Sequence, residues 1–272
     1  DMLFLCPGLI TFSVYPPMLR TDARWGTNYR ERRQKISKWF KQEFAELESE
    51  SVTTDNPYFT NLLFQNYIYK GPVLEWYMRV KVHMEHSYKV FNDLIPRDAS
   101  IMDIGCGYGF LDYMLMFMSP GRQIIGVDYD EEKITVAQHC FSRNERIRFV
   151  CANAQEQEQQ QCDVFVMNDM LHYMPYEEQT RLMERCMNNL LPGGKIIIRD
   201  GNSSDTEHHK VTKLTEVLST RVFCFNKTEG NLYFTSWERI QDICRQNGFD
   251  VTRQNNDNTT SNEIFVIERS VK

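Results

Sequence analysis

The stretch Asp103-Ile-Gly-Cys-Gly-Tyr-Gly109 begins in the last two residues of the short apolar run Ser100–Ile104. Glycines at 105, 107 and 109 let a chain leaving a strand turn sharply, and they let a ligand come close to the main chain. A glycine loop alone does not name that ligand, because dinucleotide sites use a similar one. The spacing narrows it. A nicotinamide fingerprint, Gly-x-Gly-x-x-Gly, would need its third glycine at 110, where this chain has Phe110. The loop also lacks the phosphate-binding lysine of a P-loop.

Outward from this loop, strands and helices alternate. The apolar runs predict strands at Ser100–Ile104, Gln123–Asp128, Ile147–Ala152, Asp163–Asn168 and Lys195–Asp200. Between them, helices are predicted at Phe110–Met118, Asp130–Ser142 and Tyr176–Leu191. Alternation of this kind implies an α/β, doubly wound parallel sheet with both faces covered. Upstream, Pro72 opens a long predicted helix that ends before Pro96, with an apolar stripe through Val73, Tyr77, Val80, Met84, Tyr88 and Phe91. Downstream, residues 201–234 read as an insert. Thr235-Ser-Trp-Glu238 then fits a capping box and opens a helix closed by Gly248. Asp250–Gln254 and Glu263–Arg269, joined by a polar turn, predict a final antiparallel hairpin. Gln155–Gln161 is a low-complexity piece that reads as a solvated loop.

Four further signals lie at strand ends. Asp128 closes the second strand, 23 residues after Gly105. A carboxylate there can accept both hydroxyls of a ribose. Its other reading is a helix cap, a role Asp130 fills better. Tyr129 follows it. In Cys151-Ala-Asn153-Ala154 the side-chain amide offers a donor and an acceptor to an adenine edge, or serves only as a turn asparagine. Asn168-Asp-Met-Leu-His172-Tyr173 ends the fourth strand, and Leu191-Pro-Gly-Gly194 reads as a turn into the fifth.

These five pieces, in this order and spacing, resemble the class I S-adenosylmethionine-dependent methyltransferases over roughly residues 72 to 269. The resemblance implies a Rossmann-like, seven-stranded, mostly parallel sheet whose last strand is antiparallel. It implies S-adenosylmethionine as cofactor and S-adenosylhomocysteine as product. The residues it assigns to that cofactor are Asp103, Gly105, Cys106, Gly107, Gly109, Asp128, Tyr129, Asn153, Ala154 and Asn168. It also places the predicted helix from Pro72 near the cofactor mouth. Tyr77 and His86 could touch the cofactor there, although packing explains each as well.

Methyl transfer from a sulfonium is an in-line displacement, so holding donor and acceptor in line does much of the work. A base is needed only where the acceptor must lose a proton. His172 is the candidate, with packing as its equal alternative. Tyr173 stands second, ahead of Asp169 and Asp200. Aromatic residues of the insert, Phe223, Phe225, Tyr233 and Phe234, point to a small aromatic or lipid-like acceptor, or simply hold the insert on the sheet. Its atom (O, N or C) is left open. His208 and His209, with Asp205 and Glu207, read as a solvated loop rather than a metal site, and no metal is expected.

Residues 1–50 form a separate segment, with a predicted strand at Leu9–Tyr15 and a helix near Asn28–Leu47, ahead of a linker at Ser49–Asn56. Ile10–Tyr15, Tyr29-Arg-Glu-Arg and Ile36-Ser-Lys-Trp-Phe resemble the tail of the glycerolphosphate acyltransferases. That family's histidine with aspartate five positions on is matched by none of the six histidines. The echo implies an upstream acyltransferase domain in a longer chain, with residues 57–272 as the methyltransferase domain.

The bulk composition agrees with this reading. The 272 residues are 42% hydrophobic and 25% charged, enough for one large domain. A net charge of −6 argues against a nucleic-acid track. None of the eight cysteines forms a Cys-x-x-Cys pair. They read as buried free thiols in a reducing cytoplasm.

Overall fold

A computed structural model describes residues 57–84, 87–157, 159–201, 232–254 and 262–270. The segment at 1–50, His86, His208, His209, Phe223 and Phe225 lie outside these residues. In chain order the elements are α1 (Pro57–Asn66), a 3₁₀ turn (Ile68–Lys70), α2 (Pro72–Met84), α3 (Ser87–Leu94), β1 (Ser100–Ile104), α4 (Phe110–Met118), β2 (Gln123–Asp128), α5 (Glu131–Gln138) and β3 (Ile147–Cys151). There follow β4 (Cys162–Asn168), a 3₁₀ turn (Leu171–Tyr173), α6 (Tyr176–Asn188), β5 (Leu190–Gly201), α7 (Trp237–Gln246), β6 (Phe249–Gln254) and β7 (Asn262–Arg269).

The seven strands form one sheet in the order β3-β2-β1-β4-β5-β7-β6. Strands β1 to β5 pair in parallel, and β7 runs antiparallel to both β5 and β6. The expected topology and final hairpin are both present. Successive side chains of a strand point to opposite faces, and two cores result. Ile101, Ile124, Val164, Val166, Ile197 and Val266 pack under α1 to α5. Met102, Ile104, Phe165, Met167, Ile196, Ile198 and Phe265 pack under α6 and α7.

Helix α4 is apolar all round apart from Asp112, and Phe110 through Phe117 are buried on every side. Its last turn is closed from outside. Arg122, 0% exposed, donates to the Leu115 carbonyl of α4 and to the carbonyls of Asn92, Ile95 and Pro96 at the end of α3, as well as to Asn92 Oδ1. One guanidinium thus serves the unpaired carbonyl ends of two helices. Burial lowers its pKa to about 10.

Several boundaries differ from expectation for reasons outside the local sequence. Helix α5 stops at Gln138 because Phe141 N–H and Ser142 N–H bond instead to the carbonyl and Oδ1 of Asn66. Helix α6 stops at Asn188, since Leu190 already pairs with Cys162. Leu191-Pro-Gly-Gly194 is not a turn ahead of β5 but an irregularity within it, between the Cys162–Leu190 and Val164–Lys195 pairs. A side chain at Gly194 would meet the Asp163 carbonyl at 2.5 Å. Where one helix was expected over Pro72–Ile95, two segments are described. The cap of α7 is Ser236, whose Oγ accepts from Arg239 N–H, and not Thr235. Cys151 is exposed rather than buried: it shares the face of β3 with the buried Ile147 and Phe149 but is the last residue of the strand.

Candidate active site

Parallel strands bring their carboxyl ends to one edge, and every candidate from the glycine loop to His172 lies there. The register aligns Ile104 with Val127 and Met167, Asp128 with Cys151, and Asn168 with Arg199. The glycine loop folds over β2, as Gly105 and Cys106 N–H both donate to the Val127 carbonyl. Gly107 N–H then donates to Asp128 Oδ2 at 2.8 Å, and Asp130 N–H donates to Asp128 Oδ1 at 2.9 Å. The carboxylate is therefore fixed between the loop and the entry of α5, where Asp130 caps the helix through Glu132 N–H. Each oxygen keeps a second lone pair.

Two glycines have distinct jobs. Gly109, at φ 73°, caps α4, and a Cβ there would strike the Phe149 ring at 2.6 Å. Gly107, at φ 57°, has nothing within 4 Å of where a Cβ would stand. The packing of the described residues does not require glycine at 107; its left-handed backbone favours one, and the clear space beside it leaves the main chain open to a ligand. That open cradle next to a fixed carboxylate fits an adenosyl group. Tyr129, 57% exposed, stands at its rim. Asn153 is a turn residue here: its Oδ1 accepts from Gln155 N–H and its Nδ2 donates to Glu156. The buried Ala154 gives its carbonyl to Arg185.

The end of β4 closes on the same loop. A Cβ at Gly105 would meet Met170 Cβ at 2.7 Å. Asn168 Oδ1 is buried and without a hydrogen-bond partner among the described residues. Asp169 is held in a left-handed conformation, φ 53°, by Asn262 Nδ2 at 2.9 Å and by an ion pair with Arg199. His172 is 2% exposed. Its Nδ1 lies 2.5 Å from Asp200 Oδ1 on β5, and its backbone N–H donates to Asp200 Oδ2 at 3.0 Å. The Phe234 ring stacks on the imidazole at 5.1 Å, Tyr173 lies at 4.2 Å, and Tyr233 N–H donates to the His172 carbonyl.

Three participants were not singled out from sequence in these roles. Asp200 is the partner of His172 and not an independent base. Asp112, 0% exposed, lies against Asp103 beneath the loop. Burial first, and then the neighbouring Asp103 charge, push the Asp112 carboxyl well above the usual carboxylate range. Asp103 is raised to about 7, chiefly by burial, against a lowering hydrogen bond from Asp112. Lys133 sits over the Tyr108 ring at 5.8 Å, and burial lowers its pKa against the raising charges of Asp128 and Asp130. Tyr77 packs on Tyr108 and Phe110 beside the loop. Among the described residues no group of three or more His, Cys, Asp or Glu could hold a metal, and no helix is long and apolar enough to cross a membrane.

Residues 102–198 match the family model described as a methyltransferase domain. Residues 102–198 thus carry a methyltransferase domain, on the sheet expected of the class I, S-adenosylmethionine-dependent type. The chain is similar to carboxy-S-adenosyl-L-methionine synthase of Trichodesmium erythraeum (strain IMS101), 26% identical over 116 residues, which is 41% of this chain and 46% of that protein. It is 22% identical over 174 residues to malonyl-[acyl-carrier protein] O-methyltransferase of Priestia megaterium (strain DSM 319 / IMG 1521), covering 62% of this chain and 61% of that protein. The matches thus span about half to three-fifths of those curated relatives. Among solved structures, human N-acetylserotonin methyltransferase in complex with SAM shares the fold at TM-score 0.54 and 16% identity, over 93% of this chain and 69% of that one.

Proposed function

We propose that this chain transfers a methyl group from S-adenosylmethionine to a hydroxyl oxygen of a small aromatic or lipid-like acceptor. The observation that carries this reading is Asp128, fixed by Gly107 and Asp130 at the same sheet edge as the buried His172–Asp200 pair. The cofactor supplies an electrophilic methyl carbon when bound. Asp128 would hold the ribose hydroxyls, the open main chain at Gly107 would lie along the cofactor, and Tyr129, Asn153 and Ala154 would border the adenine. Asn168, whose Oδ1 has no hydrogen-bond partner among the described residues, and Asp103 would border the inner side of the same cradle.

Asp200 accepts a hydrogen bond from Nδ1–H of His172, which leaves Nε2 as the nitrogen that accepts a proton from the acceptor hydroxyl. The Asp200 carboxylate also stabilises the imidazolium that results. A nitrogen or carbon acceptor that needs no base would make little use of this pair, so it favours oxygen. Phe234 and Tyr173 cover the imidazole and exclude water, and they suit an apolar acceptor. The net charge of −6 disfavours a nucleic-acid acceptor. The absence of disulfides at the described cysteines supports a cytoplasmic setting. The test is isothermal titration with S-adenosylhomocysteine. Micromolar binding that weakens at least ~100-fold in Asp128→Ala is expected, on the scale of two charge-assisted hydrogen bonds. A folded wild-type protein that does not bind would overturn the reading.

A further inference from the structure

The glycine loop is held from above as well as from β2. Tyr67, in the link between α1 and the first 3₁₀ turn, is fully buried, and its ring meets Phe110 edge-on at 4.9 Å and Tyr113 at 5.9 Å. Its hydroxyl donates to the Tyr108 carbonyl at 2.7 Å, in the middle of the loop. Two residues on, the Tyr69 hydroxyl donates to the Val136 carbonyl of α5, and the Tyr69 ring packs on Phe141 at 5.9 Å. Asn66 takes the amides of Phe141 and Ser142, just past the end of α5. Residues 66–70 thus strap together the loop that offers Gly107 N–H to Asp128 and the helix whose entry offers Asp130 N–H to it.

We propose that Tyr67 is a positioning residue for the cofactor. Through the Tyr108 carbonyl it holds the glycine loop in the form that grips Asp128, so the docking of segment 66–70 sets cofactor affinity. This rests on the cofactor reading above. A loop with three left-handed glycines is costly to order, because glycine loses the most backbone freedom. A buried carbonyl left without its donor would favour other loop conformations. Cofactor binding would then have to re-form the loop, and affinity falls by the fraction of molecules already in the competent state.

The test compares Tyr67→Phe with Tyr113→Phe. Both remove one buried hydroxyl and keep the ring. Tyr113 donates at 2.7 Å to the Ala137 carbonyl in α5 and does not bond to the glycine loop. Both variants should lower the urea midpoint alike. Only Tyr67→Phe should weaken S-adenosylhomocysteine binding, by about 10-fold, against less than about 2-fold for Tyr113→Phe. In the cofactor-free protein, amide exchange of residues 106–109 should speed up in Tyr67→Phe alone. Equal affinities in the two variants, or unchanged exchange at 106–109, would overturn the proposal. A wild-type protein that fails to bind would instead overturn the cofactor reading, and the exchange comparison would then decide on its own whether Tyr67 holds the loop.

Discussion

Replacing Asp112 by asparagine should stabilise the protein, and increasingly so as pH rises. Asp112 is the one carboxyl inside an otherwise apolar helix, and it lies against the buried Asp103. Its carboxyl is held well above the ordinary 3.8, first by burial and then by the Asp103 charge, so it keeps its proton to higher pH in the folded state than in the unfolded chain. The unfolded chain releases that proton near pH 4. Between pH 4 and the raised folded value, the native state holds one proton more than the unfolded state at this site. A raised folded pKa contributes its stability at low pH, and that contribution is lost as pH rises. The slope is about 1.4 kcal/mol per pH unit for one proton. Asparagine keeps the shape and a donor for Asp103 but has no proton to lose. The gap in unfolding free energy between Asp112→Asn and wild type should therefore widen as pH rises above about 5, at up to about 1.4 kcal/mol per pH unit. Urea unfolding at three pH values measures it directly. Parallel stability curves would refute the reasoning, since they would mean that Asp112 ionises in the folded protein much as it does in the unfolded chain.

Arg122→Met should cost about 3–5 kcal/mol in a urea melt, because it strips donors from the ends of α3 and α4. Affinity for S-adenosylhomocysteine should stay within about 2-fold in the protein that remains folded, as Arg122 lies at the opposite end of α4 from the glycine loop. Once an acceptor is found, Asp200→Asn should lower kcat about 10²- to 10⁴-fold, as a mis-set imidazole tautomer would, with cofactor affinity within about 2-fold. An equal loss of cofactor binding would assign Asp200 to the loop architecture instead.

Sequence was most informative where local chemistry sets the outcome. β1, β2 and α4 begin and end where Gly, Asp and Pro interrupt apolar runs, and both ends of each were readable. Asp128 and the loop were readable because a strand-end carboxylate and a spaced glycine triplet belong to one local turn. Distant contacts were not. Nothing near Gln138 shows that Asn66 will take the next amides and end the helix. His172 and Asp200 lie 28 residues apart, and Tyr67 and Tyr108 41 apart. They meet only because β4 lies beside β5, and because α1 and the link that follows it pack over α4. Nothing in the sequence around Asp112 shows that the fold will bury it against Asp103. The cap of α7 moved by one residue because Thr235 is buried while Ser236 faces the amide it serves.

The place of β7 has a consequence for biosynthesis. It is the last of the seven strands to leave the ribosome, yet it sits inside the sheet, between β5 and β6. Until residues 262–269 are made, the hydrogen-bonding edge of β5 along Lys195–Gly201 stays open. Strand β6, already synthesised, has no neighbour to join. The nascent chain must therefore carry an apolar, template-like edge through the whole translation of the insert and α7, which is the interval when pairing with another chain competes with folding.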